Sequence, residues 1–356
     1  MLLRHMGSCF SSQNSSSKKQ YSRTVIEELY PQFSLADLRK ATNNFDENRI
    51  IGRGAFGDVY EGFLKHDAET DYTVALKRMY RKSRQGITEF KNEVLLLCQL
   101  HHPNLVSLIG FYEDKNETII LYEYMPNGSL HNHLYGKHME PLPWKKRLEI
   151  CIGVAHGLHY LHTGAKRTIF HQNLNLSTIL LDINMVPKLT GFGLSILGPR
   201  LGTSGYNAIN NAFTVDYDVY SFGVILLLVV CTKDKKTIFD KFNRLESQDS
   251  GESKRADSEK FINVTPGTMD IYDLVHRFPV EEMIDPVLVG NISQACWEVF
   301  INIAERCLKQ EPTERPTMGE VEVELEHSLA KQEEADASKT SDYILHSSTI
   351  FNDELE

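Results

Sequence analysis

The sequence predicts an α+β fold in two lobes, the first an antiparallel sheet with one helix and the second mainly helical. Three observations carry this expectation. A glycine-rich hairpin, Ile51-Gly52-Arg53-Gly54-Ala55-Phe56-Gly57-Asp58-Val59, runs on into a strand. A further strand, Val74-Ala75-Leu76-Lys77, precedes a segment of helical periodicity. Finally, the apolar run from Val224 to Cys231, with Val219, Tyr220 and Phe222 before it, suits a buried central helix and is too short to span a bilayer. At 356 residues and 41% hydrophobic content the chain is long enough to bury a core divided between two lobes.

The elements follow in order. Glycines at Gly52, Gly54 and Gly57 let a hairpin backbone approach phosphate without Cβ clashes, although a plain turn or a dinucleotide-binding fingerprint uses similar spacing. A dinucleotide-binding turn leads into a helix, whereas Val59-Tyr60-Glu61-Gly62-Phe63 continues as a strand. From Ile87 to Leu100, apolar Phe90, Val94, Leu97 and Cys98 recur at helical spacing, and Glu89 and Glu93 share a face one turn apart. Standing alone these acids read as a solvated face. With Lys77 and the glycine loop in register, Glu93 becomes the expected partner of Lys77.

Ordered motifs extend this pattern. Phe33-Ser34-Leu35-Ala36-Asp37-Leu38-Arg39-Lys40-Ala41-Thr42-Asn43-Asn44-Phe45 leads in, and His102-Pro103-Asn104-Leu105-Val106-Ser107-Leu108-Ile109-Gly110 follows the helix. Leu121-Tyr122-Glu123-Tyr124-Met125-Pro126-Asn127-Gly128-Ser129-Leu130, Asp218-Val219-Tyr220-Ser221-Phe222-Gly223 and Glu314-Arg315-Pro316-Thr317-Met318 complete the series. Together they make residues 33 to about 330 resemble a plant receptor-like (Pelle-type) Ser/Thr protein kinase domain of the FERONIA-like branch.

The resemblance implies a bilobal protein-kinase fold. It implies a nucleotide site of Gly52, Gly54, Gly57, Val59, Ala75, Lys77, Glu93, Glu123, Met125 and Leu180, with Tyr122 as gatekeeper. It also implies a packed spine of Leu97, Leu108, His171 and Phe192 anchored on Asp218. Each of these apolar positions, taken singly, reads as ordinary core.

Departures from the resembled family cluster at the chemistry. In His171-Gln172-Asn173-Leu174-Asn175-Leu176-Ser177-Thr178, the family's catalytic Asp becomes Asn173, its phosphate-contacting Lys becomes Asn175 and its metal-binding Asn becomes Thr178. Its metal-binding Asp becomes Gly191 in Gly191-Phe192-Gly193. An amide at Asn173 cannot accept a proton, so a general-base contribution of about 10²–10⁴ in rate is lost. Magnesium takes oxygen ligands, usually including protein carboxylates, and Gly191 offers no side chain. Between Phe170 and Val215 the sole acidic residue is Asp182, so no substitute stands nearby.

The segment from Gly193 to Gly202 is short and contains Ser195 but no Ser/Thr cluster, and Gln172 replaces the arginine that a phosphorylated segment would pair with. Gly202-Thr203-Ser204-Gly205-Tyr206 survives from the substrate-docking loop, but Ile209-Asn210 replaces the family's Pro-Glu. Arg315, which normally pairs with that glutamate, therefore needs another acceptor.

The functional expectation is a catalytically impaired kinase-like protein, a pseudokinase, acting as a signalling adaptor among receptor-like kinases or their substrates. Weak ATP binding, poor Mg binding and no resident metal accompany it. The alternative is a slow but active ATP-dependent Ser/Thr kinase that works by positioning. A net charge of −10 argues against nonspecific nucleic-acid binding. Six cysteines, Cys9, Cys98, Cys151, Cys231, Cys296 and Cys307, form no C-x-x-C pair and read mostly as buried thiols of a reducing compartment. His156, His159 and His162 fall on one helical segment, where packing and capping roles are expected ahead of metal binding.

With no candidate membrane span, the chain reads as a cytoplasmic form. Met6-Gly7-Ser8-Cys9-Phe10-Ser11 fits a myristoylation signal at Gly7 with a palmitoylation site at Cys9. A start at Met6 places the protein at the inner face of the plasma membrane, and a start at Met1 makes residues 1–32 a Ser-rich disordered lead-in. The expected organisation is then an N-lobe with lead-in helix over 33–123, a C-lobe over 124–330 with a flexible insert at 232–268, and an acidic tail over 331–356. The insert and the tail read either as phosphorylated docking segments or as solvated additions.

Overall fold

The computed structural model describes residues 33–65, 71–80, 84–136, 139–198, 215–231 and 284–338. They fall into two compact units. The first draws on the chain up to Gln99 and on Ser107–Tyr124, and the second on Leu100–Val106 and the chain from Met125 onward.

The first unit is a five-stranded antiparallel sheet ordered β1-β2-β3-β5-β4, from β1 (Ile50–Gly54), β2 (Gly57–Lys65), β3 (Asp71–Met79), β4 (Leu108–Glu113) and β5 (Thr118–Glu123). The lead-in segment forms helix α1 (Leu35–Ala41), capped by Ser34 Oγ, which accepts from Asp37 N at 3.1 Å. Leu38 and Ala41 of α1 pack with Phe45, Tyr60, Leu64, Val74, Leu76, Ile119 and Leu121 in one core on the sheet. Gly62 leaves room for that packing, since a Cβ there would meet Leu76 Cδ1 at 2.3 Å and force the leucine to shift. Arg78 closes the cluster, its guanidinium 4.2 Å above the Phe45 ring and paired with Glu117 at 2.6 and 2.9 Å. Helix α2 (Arg84–Leu97) begins and ends earlier than the periodicity suggested. Phe90, Val94 and Leu97 are buried as the pattern required, and Cys98 lies just beyond the last turn.

The second unit contains helices α3 (Leu130–Tyr135), α4 (Trp144–His159), α5 (Val215–Val230), α6 (Gln294–Cys307) and α7 (Met318–Ser338). The short strands are β6 (Ile169–Phe170), β7 (Ile179–Leu181), β8 (Pro187–Leu189) and β9 (Ile196–Leu197), with β6 paired to β9 and β7 to β8. The apolar run is the buried helix α5, with Val219, Phe222, Ile225, Leu226, Leu227, Val229 and Val230 inside. Gly223 lets α6 approach, since a Cβ there would sit 2.8 Å from Cys307 Cβ. Among the described residues no helix is long and apolar enough to cross a membrane.

Two expected boundaries move. Residues 100–106 belong to the second unit and not the first, because Asn104 Nδ2 donates to Pro187 O at 3.0 Å, Leu189 N to Asn104 O at 2.8 Å and Val106 N to Leu189 O at 2.9 Å. The acidic tail does not begin at 331. Helix α7 runs on to Ser338, since Gln332 is buried and its Oε1 accepts from Ser293 N at 3.0 Å, while Lys145 Nζ donates to Glu333 at 2.6 Å. Acidic composition hid an inward-facing row of Leu325, Ser328 and Gln332.

Cys151, Cys231, Cys296 and Cys307 are buried and free, and burial pushes the Cys151, Cys231 and Cys307 thiols up to about 12. Cys9, Gly7, Gly202–Tyr206, Ile209, Asn210 and the expected insert lie outside the described residues.

Candidate functional site

The first unit supplies the glycine hairpin and the lysine. Across the β1–β2 turn Gly52 faces Val59, Arg53 faces Asp58 and Gly54 faces Gly57. The three glycines are held for different reasons. A Cβ on Gly57 would meet Arg78 O at 2.4 Å and one on Gly54 would meet Gly57 O at 3.3 Å, so the neighbouring backbone crowds both. At Gly52 the nearest atom would be Val59 Cβ at 3.7 Å, ordinary van der Waals contact.

Lys77 stands on β3 opposite Val59 on one side and Ile120 on the other. Its Nζ donates to Glu93 Oε2 at 2.7 Å, with the Glu93 carboxylate almost fully buried. Glu89, one turn earlier on α2, is also buried and accepts from Gln85 Nε2 at 3.2 Å. Burial raises its carboxyl above the ordinary range, with nearby Lys77 acting in the opposite sense. The sequence placed Glu89 on the right face but gave no sign of its burial.

Tyr122 of β5 is buried as well. Burial first, and the Glu93 carboxylate second, push its phenol well above 10. The two groups lie near enough to interact electrostatically without meeting hydrogen-bond geometry, for Glu93 Oε1 and Tyr122 Oη both lack a hydrogen-bond partner. Ala75 lies opposite Tyr122 on the sheet, and Glu123 closes β5, its backbone N donating to Ser107 O at 3.1 Å. Leu97 and Leu108 also belong to this unit.

The second unit supplies the loop that follows β6. Its anchor is Asp218 of α5, fully buried, which accepts from His171 N at 2.7 Å and Gln172 N at 2.9 Å, with His162 Nε2 at 3.0 Å. Gln172 is thereby held at φ +62°, a left-handed conformation that costs a non-glycine residue and persists because both flanking amides are bound. His171 Nδ1 faces Asn173 N at 3.3 Å and Nε2 faces Thr190 O at 3.1 Å. That network assigns the neutral ring with its proton on Nε2. The same ring meets Phe192 edge-on, centroids 5.1 Å apart. The structure thus brings His171, Phe192 and Asp218 together, and His162, read as packing or capping, is a third group on Asp218.

The altered residues form a closed polar knot. Thr178 Oγ1 accepts from Asn175 N at 3.0 Å and lies 3.0 Å from Asn173 O and 2.9 Å from Asn175 O. Asn175 Nδ2 donates to Asn173 O at 3.0 Å, and Asn175 Oδ1 accepts from Ser177 N at 2.9 Å. Gly191 sits at φ +85°, where a Cβ would come 3.0 Å from Asn173 Nδ2 and 3.1 Å from Thr178 Cγ2. Asp182 is spent locally, its Oδ1 accepting from Asn184 N at 2.8 Å and Val186 N at 2.9 Å.

This donor set does not fit magnesium, since it holds two amides, one hydroxyl engaged with its own loop and no uncommitted carboxylate. Met125 and Leu180 also lie in this unit, with Met125 O accepting from Gly128 N at 3.0 Å and Leu180 in β7. Arg315 finds its substitute acceptors in the backbone, donating to Lys309 O at 2.8 Å, Asp216 O at 2.9 Å and Gln310 O at 3.2 Å, with the Tyr220 ring 4.9 Å away.

A family model described as protein tyrosine and serine/threonine kinase matches residues 45–204. The chain carries a protein kinase domain. Its relatives in Arabidopsis thaliana are named receptor-like protein kinases. A probable receptor-like protein kinase is 41% identical over 315 residues, 84% of this chain and 34% of its own length. ANXUR2 is 40% identical over 325 residues, 87% of this chain and 35% of its own. FERONIA is 38% identical over 330 residues, 89% of this chain and 34% of its own. The chain thus spans about a third of the length of the curated relatives it matches. The antiparallel sheet with its helix, followed by the helical second unit, is the bilobal kinase fold that the sequence motifs implied.

Proposed function

We propose that this kinase domain is a pseudokinase that serves receptor-like kinase signalling as an adaptor or regulator. The observation that carries the reading is the knot of Asn173, Asn175, Thr178 and Gly191, in which Thr178 and Asn175 bond within their own loop, Asn173 Nδ2 donates to Gly191 O at 3.5 Å, and no side chain offers a base or a metal carboxylate. Gly52, Gly54, Gly57 and Lys77 with Glu93 would hold the phosphates of a nucleotide, and Val59, Ala75 and Leu180 its base, with backbone groups of Glu123 and Met125 at the base edge. Gly52 is the strongest support for weak ATP binding, because the fold itself leaves room there for a Cβ and close approach of a ligand would not. Bound nucleotide would shift the conformation only as far as it binds one form better than the other.

Partners would be receptor-like kinases or their substrates. Attachment to the inner face of the plasma membrane is part of the proposal for the Met6 start, through Gly7 and Cys9.

The formed Lys77–Glu93 pair at 2.7 Å favours one second reading, a slow Ser/Thr kinase acting through positioning. Radiolabelled phosphotransfer by purified protein with magnesium or manganese, run beside Lys77→Met, separates the two. The pseudokinase reading expects no transfer above the Lys77→Met background, and transfer well above it establishes the slow kinase.

A further inference from the structure

Away from the glycine loop and the knot, the second unit carries a cluster of side chains that neither uses. His156, in the last turn of α4, points Nε2 at two carboxylates of α7, with Glu322 Oε1 at 3.4 Å and Glu326 Oε1 at 3.3 Å. All three ligand atoms lie within 4.8 Å of one another. We propose that His156, Glu322 and Glu326 form a binding site for a divalent transition-metal ion of the zinc class, with His159 as the positioning residue that holds Glu322.

His156 Nε2 hydrogen-bonds Glu326 Oε1 at 3.3 Å, and Glu322 Oε1 stands at 3.4 Å, both longer than the distance of about 2.9 Å at which N–H···O bonds are commonest. The same spacing also suits an ion between them. Around a tetrahedral ion with ligand bonds near 2.0–2.1 Å, neighbouring ligand atoms stand about 3.3–3.4 Å apart. His156 Nε2 keeps that distance to each carboxylate oxygen.

Orientation is supplied by a further hydrogen bond. His159 Nδ1 contacts Glu322 Oε2 at 2.6 Å, fixing the carboxylate so that Oε1 faces His156. Gly319 lets this happen, as a Cβ there would lie 3.2 Å from His159 Cε1 and Nε2. The cluster is open to water on one side, with Glu326 54% exposed and His156 33%, leaving a position for a water ligand and an entry path. One imidazole and two carboxylates suit zinc or its neighbours in the transition series, whereas magnesium prefers oxygen ligands and retains its waters. The ligands come from two helices, so an ion would staple α7 to α4. That role is independent of phosphotransfer.

The test is isothermal titration of zinc into the full chain after chelator treatment, with cobalt absorption as a second readout. One saturable equivalent is expected, weakened tenfold or more by His156→Ala and by Glu326→Gln, unchanged in His327→Ala on the same helix, and not competed by magnesium. Cobalt should give a four-coordinate visible band that both ligand variants abolish. Glu326→Gln alters an exposed side chain and keeps the test valid if His156→Ala fails to fold. Absence of saturable binding, equal binding in both ligand variants, or full competition by magnesium overturns the assignment.

Discussion

Asp218→Ala tests whether the kinase scaffold persists here for folding. The carboxylate is fully buried and receives two backbone N–H groups, from His171 at 2.7 Å and Gln172 at 2.9 Å, with His162 Nε2 at 3.0 Å. Removing it leaves these donors facing a cavity. A buried donor left without its partner costs about 1–3 kcal/mol, more when the partner was charged, so the three together come to roughly 3–6 kcal/mol, allowing for neighbours that do not add. Gln172 adds to the loss, since its φ of +62° is sustained by those bonds. A domain of ordinary stability, about 5–15 kcal/mol, would be brought close to unfolding. Urea denaturation followed by tryptophan fluorescence is the assay, and it is selective, because both tryptophans, Trp144 and Trp297, lie in the second unit with Asp218. The expected result is a lower midpoint at unchanged slope. A change below about 1 kcal/mol would refute the argument that the Asp218 hub holds the loop together.

Four further outcomes follow from the geometry. Gly191→Asp alone should lower stability without restoring transfer, because its Cβ crowds Asn173 Nδ2 and Thr178 Cγ2 at φ +85°. The combination Asn173→Asp, Thr178→Asn and Gly191→Asp should give the first transfer above background in the radiolabel assay, with Asn173→Asp alone unable to express its factor of about 10²–10⁴. Gly52→Ala should leave the unfolding midpoint within about 0.5 kcal/mol of the parent yet abolish the weak thermal shift by ATP, a shift that magnesium should barely enhance. The Cys151, Cys231 and Cys307 thiols ionise near 12 when folded and near 9 when unfolded, so the unfolded state releases protons first and stability should fall above pH 9. The slope should approach about 1.4 kcal/mol per pH unit per thiol, measured as urea midpoints between pH 8 and 10.5.

The sheet, helix α2, the Lys77–Glu93 pair and the Asp218–His171–Phe192 group were legible in the sequence because each rests on a local pattern or an ordered motif. What escaped it depends on three-dimensional neighbours. Residues 100–106 read as an extension of the first unit, whereas Asn104 and Val106 bond to the Pro187–Leu189 strand of the second. The end of α7 was masked by acidic residues, although Leu325, Ser328 and Gln332 keep helical spacing through them. Nothing in the string could pair His156 and His159 with carboxylates so far downstream. Nor could it show that Thr178 and Asn175 close on each other, which converts a set of substitutions into a knot.

That knot also changes what the surviving motif residues mean. His171 and Asp218 are retained in a network whose disruption costs folding energy, so their presence carries no information about catalysis. Lys77 and Glu93 are ambiguous in the same way, since losing either partner would strand a buried charge and destabilise the unit whether or not nucleotide binds. Gly57 and Gly54 are constrained by neighbouring backbone. Gly52 alone among the motif glycines has space for a side chain, so it is the position where retained nucleotide binding and retained folding make opposite demands. If Gly52→Ala changes neither stability nor the response to ATP, the glycine loop holds no nucleotide against Gly52. If it removes the ATP response while the midpoint holds, nucleotide binds against Gly52 and that glycine serves the ligand and not the fold.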